Sequence, residues 1–488
     1  LGKAFNRQFW RFFVGVLPMA LNDLPTSLQA AIQSGFLERR FQKALRAKLG
    51  FRMIADREDF TAGVGETITK TRTGLLPANV TPMAPASLTD FTSGLSAQNY
   101  GLEQYVLGVA QYAVPMYLNI VTSKVAIDDV FLNNAYTLGE NAARSVDTLA
   151  QKSLYDAYMG GNTRVTTTLG SAGTAVHVDD VRGFFQTLNT AGQPVAVSSS
   201  FPVSVVVGSD TYSLIGVTAD GTAPTTINPW LANLAFSGSS SNTSTTPGGY
   251  SGTLTFSGNV TVADATALNA VQSAVAPMIL RPSNSSTNIV APTTAAISAT
   301  TDVNSAQLTM EMILEAKAVL SGNGVPPAEA IGSYMLFADP IQLSGLFQDQ
   351  AFQRLFTGKP DTADYKRGVV SDFLGVKIME TNLNPVQALS GVGNVRRAIL
   401  TGQGALVEGV FSRTGYADAN KVDDDMIAII DDIAHITREP LDTLKQVVTQ
   451  SWSYIGGFVA PTDVTTTSAT VPTASSAAYK RAMILESL

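Results

Sequence analysis

A chain of 488 residues with net charge −7, two histidines and no cysteine has room for several domains and a sizeable core. Without cysteine it forms no disulfide and no thiolate metal site. Two histidines exclude the multi-histidine zinc clusters and leave little material for acid–base work near neutral pH.

The charge is unevenly spread. Residues 1–57 carry Lys3, Arg7, Arg11, Arg39, Arg40, Lys43, Arg46, Lys48, Arg52 and Arg57 against Asp23, Glu38 and Asp56. A basic arm on an acidic body either docks on a neighbouring subunit or acidic partner, or lies solvated. The acidic remainder argues against a general nucleic-acid-binding surface, which needs concentrated Lys and Arg. The early apolar run FWRFFVGVLPMAL is broken by Arg11 and Pro18, is too short to span a bilayer and lacks a signal-peptide cleavage pattern. Leu1 is no initiator residue, so the sequence reads as processed or as starting after missing residues.

In chain order, residues 3–57 read as mainly helical, with Leu28, Ile32, Phe36, Leu37, Phe41, Leu45 and Leu49 at helical spacing. From Phe60 the texture turns to Thr, Gly and Pro. Thr67–Arg72 reads as a strand, 74–100 as a loop, and Tyr100–Val114 as a returning strand. Together they form a two-stranded finger, marginal alone and expected to lie on another subunit. Next comes Asp128–Gly161, with Ala135, Leu138, Ala142, Val146, Leu149, Ser153, Leu154, Ala157 and Tyr158 on one stripe. Asp128 and Asp129 complement the helix start and Gly160-Gly161 stop it, predicting one helix long enough to brace a whole domain.

Residues 163–300 are rich in Ser and Thr and poor in charge; Arg164, Arg182 and Arg281 stand out. Val203–Val207 and Tyr212–Val217 around Gly208-Ser209-Asp210 predict a hairpin, and Leu254–Phe256 with Val260–Val262 around Gly258-Asn259 predict a second. A helix is expected over Asp264–Ala276, with surface loop or linker at 238–249 and 281–301. The sequons at Asn242, Asn259 and Asn284 arise by chance in so Ser/Thr-rich a segment. Regularity returns at Asp302. A helix is capped by Asn304 or Ser305; SYMLFADP reads as a strand, LSGLFQDQAFQRLF as short helix, and RRAILTGQGALVEGVFSR as a β unit. DDDMIAIIDDIAHI reads as one strand between acidic flanks, Pro440–Gln450 as a short helix, and YKRAMILESL as an amphipathic tail.

No candidate site is compelling. Asp423, Asp424, Asp425, Asp431 and Asp432 lack calcium-loop spacing. His435 reads as a half-buried sheet residue and not as a catalytic base. His177 in AVHVDD invites a His–Asp pairing, yet there is no nucleophile elbow. Gly63-x-Gly65 and Gly391-x-Gly393 read as turn glycines, and Tyr155, Tyr158 and Trp452 as core. Catalytic, cofactor-binding and metal residues are therefore all expected to be none.

The order of parts, with ENAARSVDTLAQKSLYDAYMGGN, LFADPIQLSGLFQD, KRGVVSDFLGVKIMETNLNP, TGQGALVEGV and SWSYIGGFVAP as local wording, resembles the major capsid proteins of tailed bacteriophages. The resemblance implies the α+β Hong Kong 97-type fold: N-terminal arm 1–59, E-loop finger 60–115, peripheral-domain spine helix 116–162, and an inserted β-rich domain 163–301. An axial domain with remaining peripheral domain would follow over 302–440, and a peripheral return and tail over 441–488. It implies a non-enzymatic virion protein, assembled in the bacterial host cytoplasm into hexamers and pentamers of an icosahedral head. Its expected partners are itself, a portal protein, scaffolding and cement or decoration proteins. It would enclose double-stranded DNA without binding it specifically, and touch no membrane. Some family members form Lys–Asn cross-links; Lys70 lies on the finger, but no acceptor-plus-acid set accompanies it. An encapsulin-type nanocompartment shell and a surface adhesin or S-layer protein are the alternatives.

Overall fold

The computed structural model describes residues 39, 41–43, 50–60, 67–73, 102–119, 127–189, 194–221, 241–274, 276–277, 279–285, 288–291, 306–328, 332–357, 372–390, 392–411, 427–438, 443–444, 446–461 and 480–488. Most of the predicted arm, the finger tip, Gly63, Gly65, Gly391 and Asp423–Asp425 lie outside them. The architecture is α+β, in two compact units. One comprises Leu1–Leu49, Gln111–Val146 and Phe411–Ile455; the other Gly50–Ala110, Asp147–Val410 and Gly456–Leu488.

The long helix α1 runs Ile127–Met159. Of the expected stripe, Ala135, Leu138, Ala142, Val146, Ser153, Leu154, Ala157 and Tyr158 are buried and Leu149 half-buried, as a single apolar face requires. It stops at a turn in which Gly161 has φ 77°, a left-handed conformation that glycine adopts without Cβ strain.

In the first unit, Ile427–Ile430 and Ile433–Arg438 form a hairpin, and the second strand pairs onward with Val447–Val459 (Ile433↔Tyr454 to Arg438↔Thr449). The single strand expected here is two. Asp431 and Asp432 both take positive φ, 49° and 66°, the double left-handed pattern of a tight two-residue hairpin turn that Asp tolerates better than most residues. Val447–Gln450 is strand instead of the expected helix, because its side chains alternate half-buried and buried against that neighbour.

In the second unit, the finger is observed as Thr67–Thr73 antiparallel to Leu102–Gly108, registered from Thr67↔Gly108 to Thr73↔Leu102. An eight-stranded mixed sheet runs Asn288–Ala291, Ile279–Ser285, Ala482–Ser487, Gly393–Thr401, Tyr334–Ala338, Val376–Glu380, Asp372–Phe373, with Val386–Leu389 added beside Gly393–Thr401. Tyr334–Ala338 is buried at every residue, matching its unbroken apolar sequence. Three helices accompany this sheet: α2 (Met310–Gly322), α3 (Pro340–Gln348) and α4 (Gln350–Thr357). Leu308, Met312, Ala316 and Leu320 pack with Leu336, Ile378, Leu400 and Leu485 in one core. The cap of α2 is Thr309, whose side chain accepts from Met312 N, rather than Asn304 or Ser305. Asp339 and Gln342 form a capping box that starts α3 at Pro340.

A separate six-stranded antiparallel sheet is built wholly from residues 162–273, in the order Asn162–Arg164, Ala270–Ser273, Val203–Val207, Asp210–Ala219, Gly252–Val260, Gly173–Val178. It has its own core of Val176, Val178, Val205, Val207, Leu214, Leu254, Phe256 and neighbours. The hairpin at Gly208-Ser209 is present, Gly208 with φ 62°. Two expectations fail in this sheet. Gly252–Val260 is one strand, and the register against Gly173–Val178 shifts between Thr255 and Val260, so Gly258-Asn259 marks an irregularity within a strand. Asp264–Ala276 is turns followed by strand Ala270–Ser273. The Asp264 carboxylate takes bonds from Ser209, Tyr212 and Thr261, and the Asn269 side chain takes the Ala263 and Asp264 carbonyls that a helix would use.

The C-terminal segment is no amphipathic tail. Ala482–Ser487 is buried at every residue between Gly393–Thr401 (antiparallel) and Ile279–Ser285 (parallel).

The turn at Gly183 tests how tightly the end of α1 meets the six-stranded sheet. Its φ is +82° and an added Cβ would lie 2.1 Å from Gly161 N. Gly183→Ala is expected to destabilise the protein by about 2 kcal/mol or more, through backbone strain and clash, measured as a lowered urea midpoint.

Candidate functional site: buried charge clusters

The chemistry-bearing residues of the second unit converge on buried ion clusters. Glu486 lies directly across from Arg397 in the antiparallel register, so the two share a face. Arg397 Nε donates to Glu486 Oε1 at 3.1 Å, Arg281 Nε to Oε2 at 3.2 Å and Arg164 Nη2 to Oε2 at 2.7 Å. All four residues are buried. Burial pushes the Glu486 carboxyl up, but Arg164, Arg281 and Arg397 outweigh it and hold it far below the usual carboxylate range. Burial lowers Arg281 to about 10 despite Glu486, so it stays cationic at neutral pH. Arg164 Nη1 donates to the Leu268 carbonyl, and Arg397 Nη2 to Gln387 Oε1.

Gln387 passes the network on. Its Nε2 donates to Asp179 Oδ2 at 3.0 Å. Asp179 also accepts from the backbone N–H of Thr245 and Thr246 and from the hydroxyls of Ser244, Thr245 and Thr246, which pins the 241–251 loop. Beside it, Arg182 binds Asp180 Oδ2 (2.8 Å) and Asp156 Oδ1 (2.9 Å). Burial raises the Asp156 carboxyl, with Arg182 opposing. Burial also lowers the Arg182 guanidinium, but Asp180 and Asp156 overcome this and raise it. The last turns of α1 are thereby tied to the six-stranded sheet by charge. Nine residues earlier on the helix, Asp147 Oδ1 accepts from the backbone N–H groups of Gly50 (3.0 Å), Phe51 (2.6 Å) and Arg52 (3.3 Å), capping the 3-10 helix Phe51–Ile54. Burial raises Asp147 and those three bonds oppose it. Arg52 Nε in turn pairs with the buried Glu408 at 2.7 Å.

The residues singled out by sequence are not brought together. His177 pairs with Asp220 (Nε2 to Oδ2, 2.9 Å) and not with adjacent Asp179 or Asp180. Its Nδ1 meets Thr166 Oγ1 and Asp220 also takes the Ser251 hydroxyl, so the group laces neighbouring strands. His435 is more buried than expected. It lies against Phe41 with ring centroids 4.9 Å apart, and burial lowers it to about 4. The Tyr155 hydroxyl lies 2.9 Å from Asn384 Oδ1 and the Arg397 carbonyl, Tyr158 is fully buried, and Trp452 Nε1 donates to Asn141 Oδ1: all three sit in the core. Lys70 Nζ lies 2.5 Å from Glu58 Oε2. Asp431 and Asp432 form the hairpin turn described above. Among the described residues no group of three or more His, Asp and Glu is placed to hold a metal ion, and no helix is long and apolar enough to cross a membrane. Sequence reasoning missed the Glu486 cluster. The available signal was the scarcity of charge in 163–300: a segment that keeps only a few arginines keeps them for specific partners.

No family model matches the chain, and no curated protein does. Among solved structures it is similar to the capsid of Ralstonia phage GP4, with 11% identity over 89% of this chain and 87% of that one, at a TM-score of 0.45. It is likewise similar to the Cyanophage Pam1 capsid asymmetric unit (10% identity, 87% and 86% covered, TM-score 0.42). The capsid structure of the Cyanophage P-SCSP1u matches at 10% identity, with 90% and 87% covered and a TM-score of 0.41.

Two measurements probe these buried charges. Glu486→Gln strands three guanidiniums and is expected to cost about 3–5 kcal/mol, read from the urea midpoint at pH 7. His435 is neutral when folded, at about 4 against 6.5 unfolded. The unfolded chain therefore takes up the proton first, and stability is lost as pH falls from 6.5 towards 4, by about 3 kcal/mol in full. Melting curves of His435→Leu across that window should lack this component of the slope.

Proposed function

We propose that the chain is the major capsid protein of a tailed bacteriophage, a Hong Kong 97-type shell subunit that assembles into hexamers and pentamers around double-stranded DNA. The observation that carries the proposal is the finger. Among the described residues Thr67–Thr73 and Leu102–Gly108 form a two-stranded sheet that is hydrogen-bonded to no other strand, and a two-stranded sheet is marginal in water unless something covers it. A neighbouring copy in a repeated lattice supplies that cover at every position. The long helix α1, the mixed α+β body and the inserted six-stranded sheet accompany it in the order that the sequence resemblance implies. The solved structures named above are phage capsids, but the weight of the reading rests on the chain's own architecture.

The parts take their roles accordingly: arm 1–59, E-loop 60–115, spine helix 116–162, inserted domain 163–301 with its strands Ile279–Ser285 and Asn288–Ala291 joining the eight-stranded sheet, axial and peripheral body 302–440, and a peripheral return 441–488 whose last strand also lies in that sheet. The chain acts as a building block and not as a catalyst. Its buried cations Arg52, Arg164, Arg182, Arg281 and Arg397 are paired with carboxylates of the same unit, and a net acidic wall does not hold packaged DNA tightly. Portal, scaffolding and cement proteins are the partners of such a subunit, the virion shell its place, and the bacterial host cytoplasm its site of assembly.

Expression of the chain, with its scaffold where needed, and negative-stain imaging test the reading. Closed shells of uniform diameter support it, whereas a monomer under all assembly conditions sinks it. Shells that never hold nucleic acid would move the assignment to an encapsulin-type compartment. Tyr117, 71% exposed on strand Ala110–Asn119 with exposed Val114 nearby, is a side chain suited to a neighbour. Tyr117→Glu is expected to leave the unfolding free energy of the subunit within about 0.5 kcal/mol of wild type while cutting the yield of closed shells at least severalfold.

A further inference from the structure

The six-stranded sheet closes on itself. Val165 bridges Val178, the Thr166 N–H donates to the His177 carbonyl and the Asp179 N–H to the Arg164 carbonyl, so its two outer strands meet as a barrel. With its edges paired to each other, the barrel offers a partner side chains and not an open ladder. Those side chains are nearly free of charge. Residues 162–273 contain no Lys or Glu. Arg164, Asp179, Asp180, Arg182 and Asp264 are buried, and His177 and Asp220 pair with each other. Asp210 is the remaining exposed charge among the described residues of the barrel. A soluble surface ordinarily carries about a quarter to a third charged residues, and depletion of charge marks the centre of an interface.

One element stands out on this neutral exterior. Gln186–Leu188 pairs antiparallel with Pro194–Ala196, from Gln186↔Ala196 to Leu188↔Pro194, and with no other described strand. The chain then turns between Ser198 and Phe201, whose backbone groups bond reciprocally, and leaves Phe201 42% exposed beside exposed Pro202. From Gly183 to Ser209 the sequence holds no charged residue. A two-stranded ribbon this short is marginal in water by itself.

We propose that the ribbon Gln186–Ala196 and the adjoining Phe201 form a contact between copies of this chain, docking on the same ribbon of a second copy. The contact rests on the shell reading above and adds a specific pair of surfaces to it. Copies of net charge −7 repel where charged surfaces approach, whereas a neutral face meets its own like without that cost. A two-fold contact, in which one patch covers the same patch, needs this kind of self-complementary surface. Other occupants fit less well. Nucleic acid requires outward-facing cations, which the described barrel lacks, and a membrane surface requires a cationic face beside a broad apolar one, whereas Phe201 and Val262 are the large apolar side chains that the barrel exposes.

The full chain has no cysteine, so one introduced thiol reports the contact. Shells assembled from Phe201→Cys should give disulfide-linked dimers on mild oxidation, in equal yield at low and high salt because no charge is involved. Thr174→Cys is the control: it is exposed on Gly173–Val178, three strands from Val203–Val207 in either direction round the barrel, and should give no dimers. Phe201→Asp should melt like wild type as a free subunit and lower the yield of closed shells severalfold. Shells in which Phe201→Cys yields no dimers, or no more than Thr174→Cys, overturn the contact and leave the shell reading standing, as does a Phe201→Asp chain that assembles as well as wild type. A wild-type chain that never forms shells refutes both.

Discussion

One buried carboxylate, Glu486, dictates how distant stretches of the second unit meet. It binds Arg397, Arg281 and Arg164 across sequence separations of 89, 205 and 322 residues. Apolar packing alone would tolerate some sliding of Ala482–Ser487 between its neighbours, since Met483, Ile484 and Leu485 are similar in size and all buried. A slip of one residue, however, turns Glu486 to the opposite face of the sheet and leaves three guanidiniums without their partner. Burying charge is thus less a source of net stability than a penalty on every wrong register. That penalty explains why a short terminal segment can occupy the interior of an eight-stranded sheet.

The same logic recurs along the part of α1 that belongs to the second unit. Its apolar stripe decides which face is buried, but a stripe of Ala and Leu does not specify where along its length each partner sits. The positions are set by polar side chains. Asp147 takes the three leading backbone donors of the Phe51–Ile54 turn, Ser153 donates to the Phe458 carbonyl, and Asp156 binds Arg182. Both carboxylates are pushed up by burial and held by their partners, so each is anchored only while its donors stay in place. The helix therefore acts as a ruler marked at fixed intervals.

Legibility in the sequence followed the range of the interaction. The helix Ile127–Met159, the Gly208-Ser209 hairpin and the strand Tyr334–Ala338 were readable, because periodicity, turn residues and apolar runs are local signals. Where local signals were ambiguous, longer-range contacts decided. Gly258-Asn259 looks like a turn, yet the chain continues as one strand, Gly252–Val260, which meets Gly173–Val178 again at Val260 after a register shift. Asp264 looks like a helix start, yet Ser209 and Tyr212 capture its carboxylate. The segment DDDMIAIIDDIAHI hid a hairpin because Asp-Asp is a rarer turn pair than Asn-Gly. Beyond the hint of sparse arginines in 163–300, the Glu486 cluster was not legible, for a deeper reason. No spacing rule links Arg164, Arg281, Arg397 and Glu486, and only the sheet order brings them together.

These observations bear on what kind of protein this is. In the second unit the buried guanidiniums of Arg52, Arg164, Arg182, Arg281 and Arg397 are aimed at carboxylates from distant segments, which fixes how those segments align. A subunit that forms many repeated contacts with its own copies needs that property. Small errors of register inside each copy would accumulate around a closed ring, whereas a copy whose strands have one admissible alignment presents the same surfaces every time. The finger and the exposed apolar side chains of Ala110–Asn119 then serve as the adaptable parts, free to find their cover on a neighbour. Internal alignment held by charge, with external contact left to extended apolar elements, is the division of labour expected of the proposed shell subunit.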